Sequence, residues 1–117
     1  LIADGNAEIV QFLQQTLERK RLGVLDATNT EEALEVFEIY HDEIAAVILD
    51  VSLPSTGAKE LVGRLHELDA DVPIILSSGF SQSHATGPFP AEHYAGFLQK
   101  PYGPDELLQT LSRVIIS

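Results

Sequence analysis

Residues 45–50 read Ala-Ala-Val-Ile-Leu-Asp, five apolar residues in succession that end abruptly at an acid. The run shows no alternation of apolar and polar side chains, so the strand that it predicts must be covered on both faces. Such strands are typical of parallel sheets, because the crossover helices pack against either side. The stretch therefore indicates an α/β fold and places Asp50 at the carboxyl end of a strand.

Four further strands are predicted on either side of this run. They cover residues 1–3, 24–27, 74–76 and 96–98. Apolar residues at helical spacing lie between the strands, with Asn6 as the N-cap of the first helix and Pro104 opening the last. Strand and helix alternate five times, which favours a parallel sheet with helices on both faces. Residues 81–90 contain a glycine and two prolines, so we expect any helix there to be short or irregular.

The length and composition limit the classes of function. A length of 117 residues fits one domain, residues 1–117, and we expect it to be a piece of a longer chain because Leu1 lies within a predicted strand. The chain has no Cys, which excludes disulfides and thiolate zinc sites. Its net charge of −11 argues against direct binding to nucleic acid. No apolar run approaches the ~20 residues that cross a bilayer, so we expect no membrane contact by this domain.

Four polar residues follow four of the predicted strands, at or just beyond their carboxyl ends. They are Asp4, Asp50, Ser78 and Lys100. Sites in open parallel α/β sheets form at this edge, and right-handed crossovers leave few arrangements in which the four do not converge. The sequence therefore predicts two carboxylates, a hydroxyl and an ammonium group at one rim of the sheet.

The stretches around these four residues carry the most specific pattern in the chain. They are Asp4-Gly5-Asn6, Leu49-Asp50-Val51-Ser52-Leu53-Pro54, Leu76-Ser77-Ser78-Gly79 and Phe97-Leu98-Gln99-Lys100-Pro101. In this order they resemble the four signatures of response-regulator receiver domains, and the last two also look like receivers of hybrid sensor histidine kinases. The resemblance implies a flavodoxin-like three-layer sandwich with a five-stranded parallel sheet in the order 2-1-3-4-5. It also implies about five helices, of which we expect the fourth to be short or irregular.

The resemblance implies a role for each matching residue. Asp50 would accept a phosphoryl group from a phosphohistidine of a sensor histidine kinase, or of a kinase domain in its own chain. Lys100 would neutralise the phosphoryl charge, and Ser78 would hydrogen-bond a phosphoryl oxygen. Movement of Ser78, accompanied by Phe97, would report the phosphorylation. The peptide between Lys100 and Pro101 would be cis, a form that X–Pro bonds tolerate.

The resemblance also implies a Mg²⁺ site formed by Asp4, Asp50 and the backbone carbonyl of Ser52. A carboxylate and an anionic phosphoryl group repel each other unless cations intervene, which agrees with this assignment. The family usually has a second acid where this chain has Gly5, so we expect weakened metal binding and slower phosphorylation. Ser52 is too small to shield a phosphorylated Asp50 from water, so we expect a short phosphorylated lifetime.

The preferred interpretation is a cytoplasmic phosphoacceptor of a two-component system, with self-phosphorylation and slow self-dephosphorylation as its own activity. A homodimer is also compatible with the resemblance, although a broken fourth helix puts the usual mode of dimerisation in doubt. The alternative is a pseudo-receiver, which keeps the fold as an interaction module and has lost regulated phosphorylation. Gly5 favours this alternative, whereas the intact Asp50, Ser78 and Lys100 oppose it.

Several weaker signals point to other functions. Residues 54–57 look like a phosphate-cradling loop, but they follow the third strand and lack the aromatic pair expected of a flavin site. Aspartyl-phosphate phosphatases tend to carry a second Asp where this chain has Ser52. The four histidines look scattered and suggest no zinc site. Tyr94, Phe97 and Tyr102 are either an aromatic patch for a partner or ordinary packing residues.

Overall fold

The computed structural model describes residues 1–52 and 57–116, in which strands and helices alternate along the chain. The strands are β1 (Ile2–Ala3), β2 (Asp26–Ala27), β3 (Val47–Asp50), β4 (Ile74–Ser78) and β5 (Gly96–Gln99). The α-helices are α1 (Ala7–Arg19), α2 (Thr30–Tyr40), α3 (Ala58–Leu68), α4 (Gln82–Thr86) and α5 (Pro104–Ile116). Single 3₁₀ turns cover His41–Glu43 and Ala91–His93. Most of the predicted loop at residues 54–57, like Leu53 and Pro54 of the second signature, lies outside the described residues.

The five strands form one parallel sheet in the order β2-β1-β3-β4-β5. Ile2 of β1 pairs with Asp26 on one side and with Ile48 on the other. The longest register joins β3 to β4, from Val47 opposite Ile74 to Asp50 opposite Ser77. The parallel sheet and its predicted order are thus confirmed, and the carboxyl ends of all five strands lie along one edge.

Two hydrophobic clusters cover the two faces of the sheet. Side chains of α2 and α3, among them Phe37 and Leu65, form the cluster on one face. Side chains of α1 and α5, among them Leu13 and Leu107, form the cluster on the other. In β3, Val47 and Leu49 belong to the first cluster and Ile48 to the second. This two-sided burial explains the apolar residues 47–49, whereas Ala45 and Ala46 of the run lie before β3 and Ala45 is exposed. The two covered faces confirm the three-layer sandwich.

The helix ends follow the capping signals in the sequence. Asn6 caps α1, where its side-chain oxygen accepts hydrogen bonds from Glu8 N at 2.9 Å and Ile9 N at 3.3 Å. Asn29 caps α2 in the same way and accepts from Glu32 N at 2.8 Å. Gly57 precedes α3 with a φ of +109°, a conformation that glycine adopts without strain.

The fourth helix is short, as predicted. It has five residues, Gln82–Thr86, and is followed at once by Gly87 and Pro88. Proline lacks the backbone N–H that a continuing helix needs, so the turn cannot be extended beyond this point. The chain then passes through the 3₁₀ turn Ala91–His93 into β5.

Some details differ from the sequence predictions. The strand predicted at residues 24–27 covers only Asp26–Ala27. Leu68 is apolar but 42% exposed, because it is the last residue of α3. In α1 the polar Thr16 is buried together with Val10, Leu13 and Leu17. Among residues 1–52 and 57–116, no helix has the length and apolar character needed to span a membrane.

Candidate functional site

The carboxyl ends of three strands bring together an ammonium group and two carboxylates. Asp4 directly follows β1, Asp50 ends β3, and Lys100 directly follows β5. Lys100 Nζ donates to Asp4 Oδ2 at 2.9 Å and to Asp50 Oδ2 at 3.2 Å. We call these three residues the anionic basket. Three of the four residues predicted to converge are therefore in direct contact.

The anionic basket is largely shielded from solvent. The side chains of Asp4, Asp50 and Lys100 are 3%, 12% and 19% exposed. Burial alone would lower the pKa of Lys100, but hydrogen bonds and charge attraction from the two carboxylates outweigh burial and raise it. Lys100 is consequently a permanent cation at neutral pH, positioned between two acids.

The second oxygen of each carboxylate is held by the loop that follows its strand. Asn6 N donates to Asp4 Oδ1 at 2.9 Å. Asp50 Oδ1 accepts from Ser52 N at 3.0 Å and from Ser52 Oγ at 2.8 Å. The Ser52 hydroxyl therefore orients Asp50, a role that was not predicted from the sequence, which indicated only a backbone carbonyl and a small side chain at this position. The signal that could have found it is the i, i+2 spacing, which is typical of Asx turns.

Ser78 lies at the same rim, at the end of β4, but its hydroxyl is engaged with its own loop. Phe80 N donates to Ser78 Oγ at 3.0 Å, whereas Lys100 N donates to Ser78 O at 2.7 Å. Phe97 lies opposite Leu76 in the β4–β5 register and is half-buried against the cluster of α2 and α3. Ser78 is therefore joined through the backbone to Lys100, and Phe97 lies three residues before that lysine.

Tyr102 belongs to the surroundings of the basket, which the sequence did not indicate. The peptide between Lys100 and Pro101 is cis, as the resemblance implies, and Tyr102 follows it. The Tyr102 ring packs near Phe12 of α1, with ring centroids 6.1 Å apart. Burial, then the negative charges of Asp4 and Asp50, raise the pKa of the phenol well above its ordinary value. The hydroxyl therefore keeps its proton.

The proposed aromatic patch is divided between the two faces of the sheet. Tyr94 and Phe97 pack against the cluster of α2 and α3, whereas Tyr102 packs against the cluster of α1 and α5. Residues on either side of the Lys100 turn therefore reach opposite layers, which favours the alternative that the three are packing residues.

Two of the four histidines meet, although they look scattered in the sequence. The rings of His66 in α3 and His93 have centroids 5.4 Å apart, and His66 Nε2 lies 2.9 Å from His93 O. In the part of the chain that the structure describes, no three His, Cys, Asp or Glu residues are grouped so as to hold a metal ion. The pair is therefore a packing contact between α3 and the turn before β5.

The oxygens of the basket fit Mg²⁺ in number and kind. Mg²⁺ in proteins commonly takes one or two carboxylates and completes its shell with waters and phosphate oxygens. Asp4 and Asp50 supply two carboxylates at one rim, to which the resemblance adds the backbone carbonyl of Ser52. Gly5, exposed beside Asp4, adds no side-chain oxygen. The donor set therefore meets the minimum for Mg²⁺ without exceeding it.

Comparison with known proteins identifies the family. The model of the response regulator receiver domain matches residues 1–112, so the chain belongs to that family. It is 31% identical over 119 residues to "C4-dicarboxylate transport transcriptional regulatory protein DctD" of Pseudomonas aeruginosa, with 98% of this chain and 24% of that protein covered. It is 28% identical to "Sensor kinase CckA" of Brucella abortus, covering 86% of this chain and 11% of that protein. The chain thus spans a quarter or less of these two relatives.

Solved structures show the same fold. A putative response regulator from Chloroflexus aurantiacus superposes with a TM-score of 0.83 at 26% identity, covering 99% of this chain and 95% of that one. Chemotaxis protein CheY4 of Vibrio cholerae superposes with a TM-score of 0.84 at 25% identity, covering 97% of this chain and 94% of that one. A chain of a CheX–CheY–BeF₃–Mg²⁺ complex from Borrelia burgdorferi superposes with a TM-score of 0.90 at 21% identity, covering 99% of this chain and 87% of that one. At this identity the likeness shows the fold alone. The chain is a CheY-like receiver domain of the two-component type.

Proposed function

We propose that this receiver domain accepts a phosphoryl group on Asp50 from the phosphohistidine of a histidine kinase and thereby changes its partner surface. The observation that carries the proposal is the position of Lys100, whose Nζ lies 3.2 Å from Asp50 Oδ2 and 2.9 Å from Asp4 Oδ2. A fixed cation beside a carboxylate provides the charge neutralisation that phosphoryl transfer requires.

The transfer exchanges one bond for another. An Asp50 carboxylate oxygen forms a bond to phosphorus while the bond from phosphorus to the donor imidazole nitrogen breaks. The electron pair of the broken bond stays on that nitrogen, which takes up a proton. Lys100 neutralises the phosphoryl oxygens, and Ser52 holds Asp50 Oδ1 in a fixed orientation through two hydrogen bonds. Asp4, Asp50 and the Ser52 carbonyl would hold Mg²⁺, which would supply further charge neutralisation.

Ser78 and Phe97 are the proposed switch residues. The Ser78 hydroxyl accepts from Phe80 N in this structure, so a movement of Ser78 toward a phosphoryl oxygen on Asp50 would draw the loop after β4 with it. Phe97 is half-buried on the neighbouring strand, where a change in its packing would alter the surface beside α4. Partner surfaces on that side would then differ between the two states.

The experiment is incubation with acetyl phosphate and Mg²⁺, followed by intact-mass measurement. We expect wild type to gain the mass of one phosphoryl group and Asp50→Asn to gain none. Asp105→Asn, which changes an exposed acid in α5, serves as the matched control and should be phosphorylated like wild type. Equal phosphorylation of Asp50→Asn and wild type would contradict the assignment of Asp50.

The second candidate function is the pseudo-receiver, which binds partners without regulated phosphorylation. Gly5 favours it, because the site lacks the side-chain oxygen that family members usually provide there. The same experiment separates the two functions. A folded wild-type protein that gains no mass at high concentrations of donor and Mg²⁺ would favour the pseudo-receiver.

A further inference from the structure

An apolar cavity of about 460 Å³ lies at the end of the sheet opposite the anionic basket. Val24, just before β2, and Ala46, just before β3, line it, which places it at the amino ends of the strands. Leu22, Tyr40 and Ile115 also line it, and they are 42%, 40% and 42% exposed. Large apolar side chains that share one exposed surface are typical of an interaction site.

Charged residues of opposite sign flank this cavity. Residues 19–21 read Arg-Lys-Arg, are exposed and directly precede Leu22; we call them the basic side. Glu43 lines the cavity and Glu38 lies two positions before Tyr40; both are exposed, and we call them the acidic side. The basic side follows from α1 and the acidic side from α2, and these helices cover opposite faces of the sheet. The two charged groups therefore lie on different sides of the cavity.

The charges of the basic side are not neutralised within the domain. The chain has 18 acidic residues and seven Lys and Arg residues, and residues 19–21 hold three of those seven. Among the residues that the structure describes, no member of the basic side or of the acidic side takes part in an ion pair. Both groups are thus available to a partner that carries the opposite charge at a matching position.

We propose that this end of the domain is a homodimer interface, in which two copies of the chain face each other across a two-fold axis. Such an axis sets each surface against the same surface of the other copy. The basic side of one protomer then meets the acidic side of its partner, and this contact occurs twice. Between the two contacts, Leu22, Tyr40 and Ile115 lose exposure to water, which favours association. A second copy is the occupant that supplies both charges and the apolar centre between them.

Sedimentation velocity over a range of protein concentrations tests the interface. We expect wild type to shift from monomer to dimer as its concentration rises. A basic-side variant with Lys20→Glu and Arg21→Glu should raise the dissociation constant about tenfold or more, because like charges then face each other at both contacts. An acidic-side variant with Glu38→Lys and Glu43→Lys should do the same.

The matched control makes the same change of charge elsewhere on the surface. Lys59→Glu together with Arg64→Glu reverses two exposed cations of α3 and should leave the dissociation constant of the dimer unchanged. Phosphorylation by acetyl phosphate should be the same in every one of these variants as in wild type, because the substituted residues lie away from the anionic basket. Loss of the dimer and loss of phosphorylation are therefore separate outcomes.

Mixing the basic-side and acidic-side variants gives a result that the two-fold arrangement specifically predicts. Each variant repels its own copies, whereas a mixed dimer restores opposite charges at both contacts. We expect the equimolar mixture to dimerise about as tightly as wild type, which also shows that both variants are folded. Wild type that stays monomeric up to its solubility limit would overturn the proposal. So would a dimer that persists in both variants, or a mixture that stays monomeric while wild type dimerises.

Discussion

Lys100 Nζ lies 2.9 Å from Asp4 Oδ2, although 96 positions separate the two residues in the sequence. The strands that carry them, β1 and β5, are not neighbours in the sheet, because β3 and β4 lie between them. The ammonium group therefore joins parts of the rim that no backbone ladder connects directly. It also offsets the repulsion between two carboxylates that would otherwise face each other at close range.

Removing this ammonium group should destabilise the fold. We expect Lys100→Met to lower the free energy of unfolding at pH 7 by about 2 kcal/mol, less than for a fully buried pair because the lysine is partly exposed. Urea unfolding measures the difference. Lys59→Met, which changes an exposed lysine in α3, should alter stability by less than about 0.5 kcal/mol. Equal effects of the two substitutions would contradict a stabilising role for the Lys100 contacts.

The same ammonium group should give stability a defined dependence on alkaline pH. The fold raises the pKa of Lys100 above its ordinary value of 10.5, so the folded protein retains a proton that the unfolded chain has released. This contribution is complete below pH 10.5 and is lost as pH rises through the folded pKa. Urea unfolding over this range should therefore show a steeper loss of stability in wild type than in Lys100→Met. Parallel curves would show that Lys100 does not contribute.

An acid at position 5 should strengthen Mg²⁺ binding. We expect Gly5→Asp to lower the Mg²⁺ concentration for half-maximal phosphorylation by about tenfold, because it adds a carboxylate to a site that has only two. Phosphorylation rates measured across a Mg²⁺ titration provide the readout. Ala7→Asp adds the same charge two residues away, at the start of α1, and should have little effect. If wild type saturates at the same Mg²⁺ concentration as Gly5→Asp, Gly5 does not weaken the site.

The size of residue 52 should set the lifetime of the phosphorylated form. Ser52 is exposed and adjoins Asp50, so its small side chain would leave a phosphorylated Asp50 open to water. We expect Ser52→Leu to lengthen the lifetime several-fold by blocking the approach of water, whereas Ser52→Ala tests removal of the hydroxyl without added bulk. Decay of the phosphorylated mass after removal of the donor measures both. A long lifetime in wild type would count against this account.

Replacing each of two glycines with alanine should change the stability of the protein in opposite directions. A Cβ at Gly96 would lie 3.1 Å from Thr110 Cγ2 and close to Ile75, so Gly96→Ala should destabilise the β5–α5 packing by about 1 kcal/mol. Gly63, inside α3, has no such neighbour within 4 Å. Gly63→Ala should stabilise the protein by about 0.5–1 kcal/mol through helix propensity. Thermal unfolding of both variants tests the pair.

The sequence was sufficient to predict the parallel sheet and most of the residues that meet at the carboxyl ends of its strands. The apolar run before Asp50 predicted a strand buried on both faces, and strand ends placed Asp4 and Lys100 at the same edge. These features depend on periodicity and on the geometry of parallel sheets, which a single sequence reveals.

The missed features depend on side-chain packing between distant segments. The Ser52 hydroxyl on Asp50 follows from a loop conformation, and the meeting of His66 with His93 follows from how α3 lies against the turn before β5. Tyr102 packs near Phe12 only because the chain turns after Lys100 toward α1. No periodic pattern encodes such contacts, so they require the folded structure.

Neighbouring residues of β5 belong to different layers of the molecule. Phe97 packs among the side chains of α2 and α3, whereas Leu98 is buried among those of α1 and α5. The strand leads directly into Lys100, so a displacement of that lysine along the strand would shift side chains in both hydrophobic clusters. The two hydrophobic clusters therefore share one four-residue strand, which ends beside the carboxylates of Asp4 and Asp50.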